Sequence, residues 1–340
     1  MQKFFTTLSA LLFCVAPLTA QYTETINSNR PGFSQGAFSV GNGVLQLEGG
    51  VGYGTEKHRL LNTETTGYLA DYAIRYGFLF EELEVSFMGT YQSNAITDTR
   101  VVNGTPFYNQ NFKGNTLGLK YLVYDPYIKR TLQGPNLYSW KANNRTQWRD
   151  LVPAVALYAG LNFETAENPF TPGPGSSINP KVVLATQNNF LGGWVFVTNI
   201  IADRLGTDFP TYGYIATLTH AFTPRFSGFV ENQGFKSDFY ADQLLRGGLA
   251  YLFHKGFQID ASLTFNLKDT PELLYGRLGA SYRFDFHAGD DFLEEKGRAG
   301  KQTRKENKAK ARAKKKTKEK QGKEGDSTDD GDGGSTNGTL

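Results

Sequence analysis

Charged side chains recur inside segments that otherwise alternate greasy and polar residues: Glu48, Asp71, Arg75, Glu82, Glu84, Lys120, Glu231, Arg246, Asp260, Arg277, Arg283 and Asp285. Around Asp260 the apolar set Phe257, Ile259, Ala261, Leu263, Phe265 and Leu267 interleaves with Gln258, Ser262, Thr264 and Asn266. Successive strand side chains point to opposite faces, so each acid or base shares one wet face with other polar groups. Around a water-filled space, such mixed charges would set the field felt by a passing solute, as charged rings do in pores. Packed closer, they would pair across the space and fill it. Arg30, in Asn29-Arg30-Pro31 ahead of the first alternating segment, is expected to fold into that interior, pair with an inward carboxylate and narrow it.

Covalent chemistry has less support. A hydrolase at a membrane rim needs a nucleophilic Ser, a His and a polar orienter together. His58 falls in a loop, His220 and His254 near short links and His287 beyond the last alternating segment, so His58 is the only candidate base and reads as a solvated loop residue. We expect no catalytic residue, no cofactor and no metal site: no His/Asp spacing matches a metal set, and the acidic stretch of residues 326–332 lacks an ordered loop.

The elements that must position the charges are strands. Alternation runs through residues 44–53, 68–76, 82–92, 116–123, 151–163, 178–188, 194–201, 212–222, 226–235, 243–253, 257–267 and 274–286. That makes about twelve strands of about 9–11 residues, enough to cross a bilayer at a tilt. Residues 194–201 are apolar on both faces, and residues 226–235 break step at Phe229. Links alternate too: short at 77–80, 189–192, 223–225 and 254–255, long and polar at 54–67, 93–114, 164–177 and 202–211, with 124–149 long out of turn. That exception is expected to be an insertion or a short interfacial helix. Outer-membrane barrels show this asymmetry of tight turns and long outward loops. Aromatics gather at the short links, among them Tyr76, Phe78, Phe80, Trp194, Phe222, Phe226, Phe253, Phe257, Phe284 and Phe286, where an interfacial girdle belongs. A soluble sandwich would place them centrally. In lipid the strands must close on themselves to satisfy every backbone group, so the expected fold is all-β: a transmembrane antiparallel β-barrel over residues 43–287.

Residues 1–20 have the basic, apolar and small-residue layout of a secretory leader, cleaved near Ala20. The one cysteine, Cys14, lies inside it, so the remainder has no disulfide framework. No later segment offers the ~18 consecutive apolar residues of a spanning helix. Residues 21–42 form a periplasmic or lumen-facing segment. Residues 288–340 carry 14 Lys and Arg against 11 Asp and Glu, basic first and acidic after, an excess equal to the whole chain's formal charge of +3. With almost no apolar residues, this tail is expected to be disordered or partly helical, and able to touch an anionic envelope partner. The leader directs the chain away from nucleic acid, so the basic run is not read as a nucleic-acid site. The expected partners are outer-membrane lipid and a small solute.

The residues Asn27-Ser28-Asn29-Arg30-Pro31-Gly32-Phe33, then Gly43-Val44-Leu45-Gln46-Leu47-Glu48-Gly49-Gly50, Tyr76-Gly77, Leu83-Glu84-Val85, Gly248-Leu249-Ala250-Tyr251-Leu252, Gln258-Ile259-Asp260 and Leu278-Gly279-Ala280-Ser281-Tyr282-Arg283-Phe284 resemble the MetA-pathway of phenol degradation family of outer-membrane transporter-like proteins. The likeness runs from about Asn27 to Phe286, with Asn29 where the family pattern has an aspartate. It implies an outer-membrane barrel that passes small solutes, aromatic or hydrophobic ones among them. No nucleotide loop or energy-coupling element is present, so passage would run down a gradient. The rival readings are a structural or adhesive barrel with a blocked lumen, and a lipid-modifying enzyme.

Overall fold

The computed structural model describes residues 25–286, apart from 102–103, 129–137, 140–147, 166–167, 172–177 and 239. Among the described residues the alternating segments form twelve strands: β1 (Val44–His58), β2 (Thr63–Gly77), β3 (Leu83–Asp98), β4 (Phe107–Tyr124), β5 (Ala154–Phe163), β6 (Ile178–Phe190), β7 (Trp194–Asp203), β8 (Thr211–Ala221), β9 (Phe226–Lys236), β10 (Ala241–His254), β11 (Phe257–Asn266) and β12 (Glu272–Asp285). Each pairs antiparallel with the next, and β1 pairs with β12 from Val44 opposite Asp285 to Lys57 opposite Glu272. The sheet is a closed transmembrane barrel.

Its faces are reversed relative to a soluble protein. Leu47, Val51, Ile74, Leu117, Leu157, Ile200, Val230, Leu263 and Leu278 are exposed, while Gln46, Arg75, Lys120, Glu231 and Asn199 are buried. Large exposed apolar surface is stable only where another apolar phase covers it, and closure leaves no unpaired backbone edge in that phase. Aromatics band the short-turn end: Trp194 stacks on His220 with centroids 4.1 Å apart, and Tyr251, Phe253, Phe257, Tyr282 and Phe284 form a continuous row. Toward the loop end, Tyr72 bonds Asn115 and Tyr214 bonds Asn232 at 2.8 Å, each ring lying on the outer face over a glycine, Gly89 or Gly234. A phenol in this place keeps its ring in the apolar band and its hydroxyl satisfied.

Two expectations need correction. Strands β5, β7, β8, β9 and β11 keep to the expected 10 or 11 residues, but the other seven are longer, up to 18 residues in β4. The link expected over residues 54–67 shrinks to residues 59–62, because β1 and β2 stay paired out to His58 and Thr63. The same extension absorbs much of 93–114 into β3 and β4. Above the membrane both faces of a hairpin can be polar, so pairing there continues without the alternation that marks it in sequence. Of the long link at the turn end, the described part includes a short 3-10 turn at Trp148–Leu151. The expected leader and the expected charged tail lie outside the described residues.

Ahead of β1, residues 25–43 enter the barrel. Ile26 N donates to Lys255 O in a turn-end link at 2.8 Å, the chain rises to Arg30–Gln35, and it returns to the turn end beside Gly77. Gly41 and Gly43, at φ of 94° and 66°, reverse it into β1, a left-handed path that side chains disfavour.

Candidate functional site

The ascending limb is held by carboxylates. Arg30 makes a two-pronged pair with Asp260 on β11, Nε to Oδ2 at 3.2 Å and Nη2 to Oδ1 at 3.1 Å, and its Nη1 pairs with Asp71 on β2. Its guanidinium occupies a slot left by Gly50 and Gly279, where a Cβ on either would collide with it. Gln258 returns a bond to Arg30 O at 3.2 Å. Lower down, Ser28 Oγ lies 2.8 Å from Ser281 Oγ. Asn29 Oδ1 accepts from Gly36 N at 3.1 Å, tying the two limbs together. An amide does this without placing another anion beside Glu48, whose Oε1 accepts from Asn29 N at 3.4 Å.

At the apex Phe33 is clamped. The guanidinium carbons of Arg246 and Arg277 lie over its ring, 4.1 and 4.2 Å from the centroid, an arrangement in which the ring's negative face attracts each cation. Glu231 accepts from Phe33 N at 3.0 Å, from Ser34 N at 3.2 Å and from Thr217 Oγ1 at 2.7 Å, and pairs with Arg246. The descending limb is read by neutral amides. Gln35 and Asn199 exchange two bonds, at 2.6 and 2.8 Å, and Gln187 Oε1 accepts from Ala37 N at 3.1 Å. Ala37 then packs into a small-residue patch of Leu122, Ala154, Ala156 and Ala185.

A second charge cluster lies toward the turn end. Arg75 gives Nε to Glu84 Oε1 at 2.7 Å, Nη2 to Glu84 Oε2 at 2.9 Å and Nη1 to Glu48 Oε1 at 3.0 Å. Lys120 Nζ is 3.3 Å from Glu84 and donates to Gly36 O and Phe38 O at 3.2 and 2.9 Å. All four side chains are nearly inaccessible, so each charge depends on the others for what water would supply.

The segment therefore divides the interior. On its loop side is an outer chamber of about 380 Å³, lined by Phe33, Asp71, Met88, Lys113, Lys181, Asp203, Arg204 and Arg277 among others. On its turn side is an inner chamber of about 240 Å³ with Pro31, Val195, Val197, Phe229 and Ala250 on its wall. The two sequence irregularities are thereby placed: Val195, Val197 and Phe229 are inward apolar residues beneath Arg30-Pro31-Gly32.

A family model matches residues 28–284, which include the inserted segment from Ser28 onward and the charged pairs that hold Arg30. The chain belongs to the MetA-pathway of phenol degradation family. An outer-membrane channel from Pseudomonas putida F1 shares the family chain's fold, with a TM-score of 0.51 and 11% identity over 76% of this chain and 100% of that one. More distant in shape are the KdgM porin in complex with disordered oligogalacturonate (TM-score 0.41, 12% identity, 69% and 99% covered) and the CymD monoaromatic hydrocarbon channel (TM-score 0.39, 10% identity, 72% and 90% covered). No curated protein matches the sequence.

Among the charges singled out from this family member's sequence, Glu48, Asp71, Arg75, Glu84, Lys120, Glu231, Arg246, Asp260, Arg277 and Arg283 lie on inner strand faces, and Arg30 meets Asp71 and Asp260 among them. Arg283 Nη1 donates to Thr25 O at 3.0 Å at the foot of the segment. Two placements differ from expectation. Glu82 sits in the turn before β3 and Asp285 ends β12 with its carboxylate partly exposed, so both belong to the turn-end rim. The alternation that includes them continues one residue past where the sheet has an interior. The sequence reading missed Gln187, Asn199, Phe33 and the glycine slot, and Lys113, which a β-bulge opposite Thr90 and Tyr91 inserts into β4. Inward amides resemble any polar strand residue; inward glycines on adjoining strands were the one available signal of a close approach.

Proposed function

We propose that this chain is a gated, passive outer-membrane channel for small solutes, with residues 25–43 as its gate. The observation that carries the reading is that a segment separate from the wall, residues 25–43, crosses the interior with chambers on both sides of it. Ordering that segment costs conformational entropy for every residue fixed, and its bonds replace bonds to water, so the closed state is held by a small difference between large terms. The inner chamber's wall is mixed, with Val195, Val197, Phe229 and Ala250 set among Gln187, Thr217, Thr219, Ser227 and Gln258, which suits a small solute with both a hydrophobic body and a polar group. Residues 1–20 act as the leader to the periplasm of a Gram-negative cell, residues 288–340 as a charged tail that meets an anionic envelope partner, and the wall as the lipid contact. We assign no catalytic role: His58 Nδ1 and His254 Nδ1 accept from Leu61 N and Gly256 N, each at 3.2 Å, and serve their turns.

Liposome swelling with sugars, amino acids and aromatic solutes tests the proposal. Uptake of at least one is expected. Absence of uptake by protein that shows heat-modifiable migration would sink it in favour of a static structural barrel.

A further inference from the structure

The outer chamber has four carboxylates on its wall, and each has a cationic partner: Glu48 with Arg75, Asp71 with Arg30, Glu164 with Arg204 at 3.0 Å and Asp203 with Lys181 at 3.0 Å. Two cations on the same wall have none. Arg277 forms no hydrogen bond or ion pair among the described residues; it rests on Phe33, and its Nε is shielded from solvent and unbonded. Gly52, opposite it across the β1–β12 seam, leaves room for its stem. Lys113, carried inward by the β-bulge, is near enough to repel it, and Glu56, whose charge Lys113 feels, forms no ion pair with it.

The Nε of this half-buried guanidinium has lost water without replacement, and its terminal nitrogens are left with water alone as a partner. The anion that answers its flat fork is a carboxylate, which takes two parallel N–H bonds. We propose that the outer chamber binds small organic carboxylates, with the acid group between Arg277 and Lys113 and the organic body against Met88 and Ala73. The Phe33 ring already carries the guanidinium groups of Arg246 and Arg277, so the proposed site does not use stacking on it. The inference rests on the channel reading, for it names the class of solute that the vestibule takes, but the site can be measured without transport.

Isothermal titration of benzoate into the detergent-folded protein tests it, with benzamide as the uncharged isostere. Benzoate should bind and benzamide should not displace it. Arg277→Gln should weaken benzoate roughly tenfold or more, as loss of a charge-assisted pair does. Arg277→Lys should restore part of the affinity, and Lys113→Gln should weaken it by less. Because Arg277 also touches Phe33, Lys113→Gln serves as the second variant if Arg277→Gln does not fold. The proposal is overturned if folded parent binds no benzoate, if benzamide binds equally, or if neither variant lowers the affinity. Swelling with neutral solutes separates the two claims. Uptake without benzoate binding removes the site and leaves the channel; benzoate binding without uptake of any solute removes the channel and leaves the site.

Discussion

Gly50 lies directly opposite Gly279 across the seam that closes the barrel, and the space of their two missing side chains is filled by the guanidinium of Arg30. Neither glycine has an unusual backbone angle that would explain it. Their purpose is steric: they admit the gate to the wall. Gly50→Val or Gly279→Val should therefore expel Arg30 from Asp260 and Asp71 while leaving the strands paired. The expected result in planar bilayers is a larger and noisier conductance than the parent's, with unchanged heat-modifiable migration. Parental conductance from both variants would count against the slot.

Arg30→Ala removes the same contacts from the other side. It should raise conductance as the glycine variants do, and combining it with Gly50→Val should add little, since both act on one contact. Strict additivity of the two effects would contradict a shared cause.

The 2.8 Å approach of Ser28 Oγ to Ser281 Oγ offers a lock. With Ser28→Cys and Ser281→Cys combined, oxidation should fix the ascending limb to β12. Conductance and solute uptake are expected to fall under oxidant and recover with reductant, while single-Cys variants stay insensitive. Equal uptake in both redox states would mean that solutes do not need the segment to move.

Glu84 is the shared partner of Arg75 and Lys120, both nearly inaccessible. Glu84→Gln leaves two cations with one remaining carboxylate, Glu48, and should cost about 3 kcal/mol in unfolding from lipid vesicles. Lys57→Ala, which breaks an exposed pair with Glu64, should change stability by less than about 1 kcal/mol. Similar effects from the two would deny the buried cluster its role.

Leu278 stands midway along β12 with 64% of its surface exposed. Leu278→Arg should destabilise the barrel in vesicles by about 2–4 kcal/mol, as arginine at the bilayer midplane does. A neutral result would place that face in water.

The closed barrel was legible because lipid enforces a strict rule: every second residue between two interfaces must be apolar, and Phe257 to Leu267 obeys it without exception. The partnership of Arg30 with an inward acid was legible for a related reason, as a charge leading into a lumen of mixed sign has few other partners. Strand ends were not, since Thr63 to Thr66 and Asn109 to Asn111 pair above the membrane where nothing selects for alternation. Nor was the clamp on Phe33: Arg246 and Arg277 lie 31 positions apart on β10 and β12, and only the curvature of the wall brings them to one ring.

Both feet of the inserted segment stand at the same end of the barrel, Ile26 on Lys255 and Gly43 on Gly77, with its head raised between the chambers. A hairpin footed in this way can be withdrawn toward its feet but has no slack to be drawn outward. It works like a door hung to swing into the house: pressure from the street side pushes it along its hinge, and pressure from within seats it more firmly in its frame.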